Sequence, residues 1–321
     1  MKLSIIILSF NTKKLTKKCL ASIFKYPPRF QFEVLVVDNA SKDDSPEMIR
    51  NNFPQVKLII NKKNLGYAKA NNQAAKIAKG QYILLLNSDV EIKKGTIKSL
   101  INHLDTHSDV GATTAKLLNP DGSIQRYYHR RFPSFLSFNS SILEHYFKIN
   151  TSLAKNYLML DEKFDKEIEI EQAATTALAI RKDLLKNIGR LFDNHFPLFF
   201  NDTDLCLRIN KAGFKIMLLP QAKIIHFRGR STDFLDPYVL REELFLSMLY
   251  YFRKHKQILD YLLTKITLLI FLIFVLSVSS IGILKSYLGT AIKDRRVSLQ
   301  KQTQIINSVI FEKPKVSIFK R

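Results

Sequence analysis

The chain has 321 residues, 46% of them hydrophobic, which is enough for one large domain or two smaller ones with a substantial core. Its formal net charge of +22 points to polyanionic surroundings: nucleic acid, an anionic membrane face or phosphate-bearing substrates. Two cysteines, Cys19 and Cys206, stand far apart, which excludes a disulfide framework and a cysteine metal cluster and fits a reducing compartment.

The apolar run Leu3 to Leu8 is too short for a signal peptide and predicts a first strand, ending in Ser9-Phe10-Asn11. Thr12 then introduces a helix over 13–24, with Leu15, Cys19 and Ile23 on one face. Pro27-Pro28 breaks the chain. A second strand over 32–37 ends in Asp38-Asn39-Ala40-Ser41, and a helix follows over about 44–51. Residues 56–60 predict a third strand, and the turn Asn64-Leu65-Gly66-Tyr67 opens a helix over 68–78.

The run Tyr82 to Leu86 is wholly apolar, as in a strand buried on both faces, and stops at Asn87-Ser88-Asp89. Asp89 at that strand's carboxyl end could hold a divalent metal on a diphosphate; equally, Asn-Ser-Asp could make a turn or a helix cap. Strands alternating with helices predict βαβ units and a parallel sheet. Asn11, Asp38 and Asp89 would then converge on one sheet edge with the Asn64–Gly66 turn, which favours a nucleotide pocket. A carboxylate such as Asp38 can accept a hydrogen bond from a pyrimidine N–H or a ribose hydroxyl. Gly66 allows close backbone approach or a positive φ. No G-x-G-x-x-G or G-K-[ST] signature accompanies it, so dinucleotide redox enzymes and phosphate-loop NTPases lose support.

Further on, the sequence predicts a helix over 93–107, a strand over 110–118 and a basic, aromatic stretch from Gln125 to Pro133 that could grip phosphate or an acceptor head group, or lie on the surface. Residues 134–168 are poorly patterned, and 170–180 are strand-like. Asp202 and Asp204 open a helix to about Ala212, where the helix dipole favours acidic residues and where a carboxylate could act as general base. Two strands follow, over 214–219 and 223–227, divided by Pro220. His226 in the second could be a packed residue or a partner for Asp89 on a metal.

These motifs, in this order from Leu3 to about Lys256, resemble the family-2 glycosyltransferases, especially the rhamnosyltransferase-like branch. The resemblance rests on Ser9-Phe10-Asn11, Val37 to Ser41, Asn64 to Tyr67 with Asn71, Leu86 to Asp89, and Asn201 to Arg208, continuing through Ala212-Gly213-Phe214, Pro220 and His226 to Ser231. It implies an α/β GT-A fold with a mainly parallel central sheet, and inverting, metal-dependent transfer of one sugar from a UDP-, dTDP- or GDP-sugar. The nucleotide-sugar would be bound by Ser9, Asn11, Asp38, Asn39, Asn64, Gly66, Asn71, Asn87 and Ser88; Mg2+ or Mn2+ by Asp89 and His226; Asp202 would be the base. The implied acceptor is polyprenyl-linked or a glycan, and no nucleic acid is involved. The sequence departs from the pattern at Asn87 where an Asp is usual, at Asn201 where a Glu is usual, and at Thr175-Thr176 where Gly-Ala is usual. The Q-x-x-R-W motif of processive synthases is missing from a chain without tryptophan, which implies single addition.

The predicted domains are 1–256, catalytic, and 257–321, a membrane-associated helix with a basic tail. Residues 266–284 are uncharged, and at 1.5 Å per residue they would reach about 28 Å, near the hydrocarbon thickness of a bilayer. The expected location is the cytoplasmic membrane, with the catalytic domain on its cytoplasmic side. The runner-up is a basic nucleic-acid- or partner-binding protein without transferase activity.

Overall fold

The structure, a computed structural model, describes residues 1–149, 151–227, 236–286 and 292–312. Gly229-Arg230-Ser231 and the tail beyond 312 lie outside the described residues. The chain divides into two compact units, Met1–Asp233 and Phe234–Arg321.

The first unit is built on one nine-stranded sheet. Its early elements are β1 (Leu3–Ser9), α1 (Lys13–Lys25), β2 (Phe32–Asp38), α2 (Ser45–Asn52), β3 (Lys57–Ile60), α3 (Tyr67–Ile77) and β4 (Tyr82–Asn87). Then come β5 (Val90–Ile92), α4 (Thr96–Thr106), β6 (Val110–Leu118), α5 (Phe135–Phe147), α6 (Ser152–Tyr157), β7 (Ile168–Glu169), β8 (Ala177–Arg181), α7 (Leu184–Ile188), α8 (Asn201–Lys211) and β9 (Lys215–His226). The strand order is β3-β2-β1-β4-β8-β6-β9-β5, with β7 paired to β9.

Burial on both faces explains the unbroken apolar strands. Along β1, Leu3, Ile5 and Ile7 pack into one core with α1, α2 and α4, while Ile6 packs into a second core with α3, α7 and α8. The sequence predicts a mainly parallel sheet, but the sheet is mixed. The pairs β1–β2, β1–β4, β2–β3 and β6–β9 are parallel; β8 runs antiparallel to β4 and β6, and β9 antiparallel to β5 and β7. Strand direction leaves no mark on a run buried on both sides. Pro220 also fails to end its strand. β9 is continuous, and its register to β6 slips between Leu219 and Lys223, so Pro220 sits in a bulge where no ladder N–H is needed.

Gly80 is required by close packing rather than by a turn. A Cβ there would lie 2.3 Å from the Ser4 backbone N and 2.6 Å from the Leu3 carbonyl carbon. The same corner holds a buried polar cluster: the Gly80 N–H donates to Ser4 Oγ (2.8 Å), and Ser4 Oγ donates to Glu33 Oε1 (2.6 Å). Gly80→Ala is therefore expected to cost about 1–3 kcal/mol, since backbone cannot move aside as a flexible side chain would. The midpoint of urea unfolding checks this; an unchanged midpoint would mean that the corner relaxes freely.

The second unit holds α9 (Pro237–Lys254), α10 (Ile258–Ser286) and α11 (Ile292–Phe311), which pack on one another. α9, expected with the first domain, belongs here. The run 266–284, expected to associate with a membrane by spanning it or lying in it, falls within α10, and the spanning form is not supported: among the described residues no helix is long and apolar enough to cross a membrane. One side of α10 is taken up by its neighbours, burying Thr264, Leu268 and Leu272.

Candidate active site

Three loops at the carboxyl ends of β1, β2 and β4 carry the first group of candidates. The parallel register sets Ser9 beside Asp38, and the Asn39 N–H donates to the Ser9 carbonyl (2.8 Å). Asn11 and Ala40 both take positive φ, 52° and 70°, unusual for residues with a Cβ. Asn11 Oδ1 accepts from the Lys42 N–H (2.8 Å), and its own N–H donates to Ser41 Oγ (2.9 Å), so the two loops are laced together. Asp38 is fully buried. Its Oδ1 accepts from the Ser41 N–H (2.9 Å), while its Oδ2 has no hydrogen-bond partner among the described residues. Burial raises its carboxyl above the usual range, against the pull of the Ser41 hydrogen bonds. A buried, unpartnered carboxylate oxygen is an acceptor waiting for a donor.

Asn39 and Asn64 bind each other (Nδ2 to Oδ1, 2.5 Å) and hold the turn, whose Leu65 and Gly66 N–H groups donate to them. Gly66 has φ 83°. Asn71 is buried in α3 and donates to the Tyr67 carbonyl (2.9 Å). Ser88 Oγ accepts from Thr12 Oγ1 (3.1 Å), and Asn87 closes β4.

Sheet register brings Asp89 to His226. Val90 pairs with His226, and the Phe227 N–H donates to the Asp89 carbonyl (2.9 Å). Both side chains are buried, with Asp89 Oδ1 3.4 Å from His226 Nε2. Gln125 fixes the ring. Its Nε2 donates to the His226 carbonyl (3.1 Å) and to Asn119 Oδ1 (2.9 Å), which turns its Oε1 toward His226 Nδ1 (2.6 Å). Nδ1 therefore carries a proton, and Nε2 faces a carboxylate. Two buried acceptors at that distance need a positive centre between them: a proton on Nε2 or a metal ion. A separation of 3.4 Å fits neighbouring ligands of one ion with bonds of about 2.0–2.2 Å, and a protein acceptor on the far ring nitrogen is usual for a metal-binding histidine. Among the described residues no group of three or more His, Cys, Asp or Glu forms a metal cage, so an ion here would need ligands from its substrate.

Asp202 lies in the first turn of α8, after Phe200 at φ 62°, a strained cap costing about 1–2 kcal/mol. Its Oδ1 accepts from the Thr203 N–H (2.8 Å), and its Oδ2 from Gln172 Nε2 (3.1 Å). Burial raises its carboxyl; the Arg130 guanidinium opposes this. Tyr67 donates from its hydroxyl to Thr175 Oγ1 (3.0 Å), and its phenol is raised by burial and by the charges of Asp202 and Asp89. One side chain thus feels both carboxylates. Asp204, by contrast, is fully buried and paired to Arg208 Nε (2.9 Å), a structural role.

The basic, aromatic stretch folds inward. Gln125 and His129 are buried, burial lowers His129 to about 4, and Arg130 bridges to Gln172 through backbone hydrogen bonds (3.0 and 2.9 Å). The sequence flags this stretch by its charge. The two glutamines that orient His226 and Asp202 have no periodic or motif signal.

The chain matches the Glycosyl transferase family 2 over residues 4–186. It is 25% identical over 214 residues to an N-acetylglucosaminyl-diphospho-decaprenol L-rhamnosyltransferase of Mycobacterium tuberculosis, covering 62% of this chain and 67% of that one. It is 28% identical over 192 residues to the poly(ribitol-phosphate) beta-N-acetylglucosaminyltransferase TarS of Staphylococcus aureus, covering 58% and 33%. It also aligns with an uncharacterized Sinorhizobium fredii protein, 27% identical over 252 residues, covering 73% of this chain and 25% of that one, so the chain spans a quarter to two thirds of these relatives' lengths. Among solved structures, the mannosyltransferase PcManGT of Pyrobaculum calidifontis, in complex with GDP-Man and Mn2+, superposes with a TM-score of 0.54 at 15% identity, covering 97% of this chain and 86% of that one. S. aureus TarS 1–349 superposes with a TM-score of 0.50 at 21% identity, covering 78% and 64%. At these identities the structural likeness is one of fold, GT-A-like with a mixed sheet flanked by helices. The sequence match spans more than half of the chain and includes the strand ends that carry Asp38 and Asp89: the chain belongs to glycosyl transferase family 2.

Proposed function

We propose that the chain transfers one sugar, rhamnose or a similar hexose, from a UDP-, dTDP- or GDP-sugar to a lipid-linked or polysaccharide acceptor in cell-surface glycan synthesis, with inversion. The observation that carries this reading is Asp202 at the start of α8, oriented by hydrogen bonds from Gln172 and Thr203 and with its carboxyl raised by burial. Such a group suits the removal of a proton from a hydroxyl in a partly dry site. As Asp202 takes the proton, the acceptor oxygen bonds to the anomeric carbon from one side. The bond to the diphosphate breaks on the other side, and the nucleoside diphosphate leaves.

Asp38 Oδ2 would accept an N–H from the base or a ribose hydroxyl, which accounts for its lack of a partner among the described residues. The laced Asn11 and Ser41 loops would wall the nucleotide. A Mg2+ or Mn2+ ion held by Asp89 and His226 would neutralise the charge gathering on the departing diphosphate. The place of action is the cytoplasmic face of the cytoplasmic membrane, where lipid-linked acceptors are exposed. The alternative, a basic nucleic-acid- or partner-binding chain, draws only on the net charge.

Binding and slow hydrolysis of UDP-, dTDP- and GDP-sugars, with Mn2+ or Mg2+ and with chelator, test the reading. Metal-dependent binding of one donor is expected and names its nucleotide. Failure of every donor, together with tight and salt-sensitive RNA or DNA binding, would overturn it in favour of the alternative.

A further inference from the structure

We propose that α10 seats an uncovered apolar face in the plane of an anionic membrane surface, without crossing it. Leu259, Leu262, Ile266, Ile270, Ile273 and Phe274 recur at helical spacing along one side of the helix, and all six are exposed; Leu259 is 70% exposed and Phe274 64%. The described part of that face carries no charge. The opposite side is buried on α9 and α11, and its end is tied down by Glu312, which pairs with Lys265 (2.7 Å) and Arg253 (2.5 Å).

This pairing decides the mode of contact. If α10 crossed the hydrocarbon, α11 would be carried in with it, and its sequence includes Lys293, Asp294, Arg295, Arg296 and Lys301. Charges at the bilayer centre are costly, whereas a helix with one apolar and one polar side lies stably at the interface. Charge also selects the occupant. A second copy of the chain would bring +22 against +22, while anionic headgroups attract it. The basic run Arg253-Lys254-His255-Lys256 stands just before the face in sequence. The proposal shares with the functional reading only the membrane location, and its test does not read sugar transfer, so either can fail alone.

The absence of tryptophan from the sequence makes the test clean. In the full chain, Leu259→Trp, Ile266→Trp and Ile273→Trp would each place one fluorophore on the same face, about 21 Å apart from first to last along the axis. With vesicles of phosphatidylglycerol and phosphatidylcholine, all three emissions are expected to shift to the blue. All three should be quenched equally by lipids brominated near the headgroup. Binding should fall about tenfold on pure phosphatidylcholine, and about tenfold or more in the Ile266→Glu, Ile270→Glu double variant on the anionic vesicles. Quenching depths that progress from 259 to 273 would show a crossing helix and overturn the proposal. So would a dimer that the double variant dissociates, with no vesicle binding by the wild-type chain.

Discussion

Asp202→Asn is expected to lower the turnover of sugar transfer by about 10²–10⁴-fold while leaving donor affinity near its original value. The amide fills the same volume, keeps an oxygen for the Thr203 N–H and presents its NH2 to Gln172, whose own amide can turn over to accept it, so the start of α8 should stay folded. What it loses is the ability to accept a proton. The burial that raises the Asp202 carboxyl also predicts the pH profile. The base works only when ionised, so turnover should fall on the acid side, with an apparent pKa above that of an ordinary aspartate. Arg130 opposes the rise, so Arg130→Gln should move that acid limb to higher pH. Stability runs the other way. A carboxyl whose folded pKa is raised weakens the fold above that pKa and ceases to do so as the pH falls through it. Asp202→Asn should therefore melt no lower than the parent at neutral pH, the trade expected of a catalytic group held at some cost to the fold. A variant with unchanged turnover would sink the assignment of the base.

How much of this was legible in the sequence depends on what each residue contributes locally. The runs behind β1, β2 and β6 are mostly apolar or β-branched, and their bounds can be read to within a residue or so. The stretch 170–180 cannot, because Ile170 to Thr176 crosses between β7 and β8 while remaining buried at every residue but Glu171, and burial without alternation imitates a strand. Pro220 misleads for a related reason: the bulge that excuses its missing N–H exists only once β6 lies beside it. In the site, the carboxylates announce themselves by standing at strand ends and at a helix start. Gln125 and Gln172 do not, since their value lies in contacts across 101 and 30 residues of chain. The asparagines are divided. Asn39 and Asn64 have chemistry fit for a ligand, but their amides hold the turn together.

Asp89→Asn is expected to weaken Mn2+-dependent binding of the donor by about a hundredfold or more, because the one carboxylate of the pair loses its charge and, among the described residues, no third His, Cys, Asp or Glu stands beside the pair. His226 cannot compensate, since its Nε2 was placed to face Asp89 and not a second anion. Gln125→Leu should act on the same site from behind. Without the Oε1 acceptor the ring is no longer held with its proton on Nδ1, and the loss expected from removing such an orienting partner is about 10–100-fold in metal affinity. Mn2+ titration followed by electron paramagnetic resonance, with UDP present and without turnover, separates these effects from catalysis. The two changes act on one ion, so the double variant should lose little more than Asp89→Asn alone. Additive losses would mean that Gln125 supports the β5–β9 corner for folding and not the ion. Undiminished Mn2+ binding in Asp89→Asn would mean that the ion binds elsewhere and that Asp89 is not its ligand.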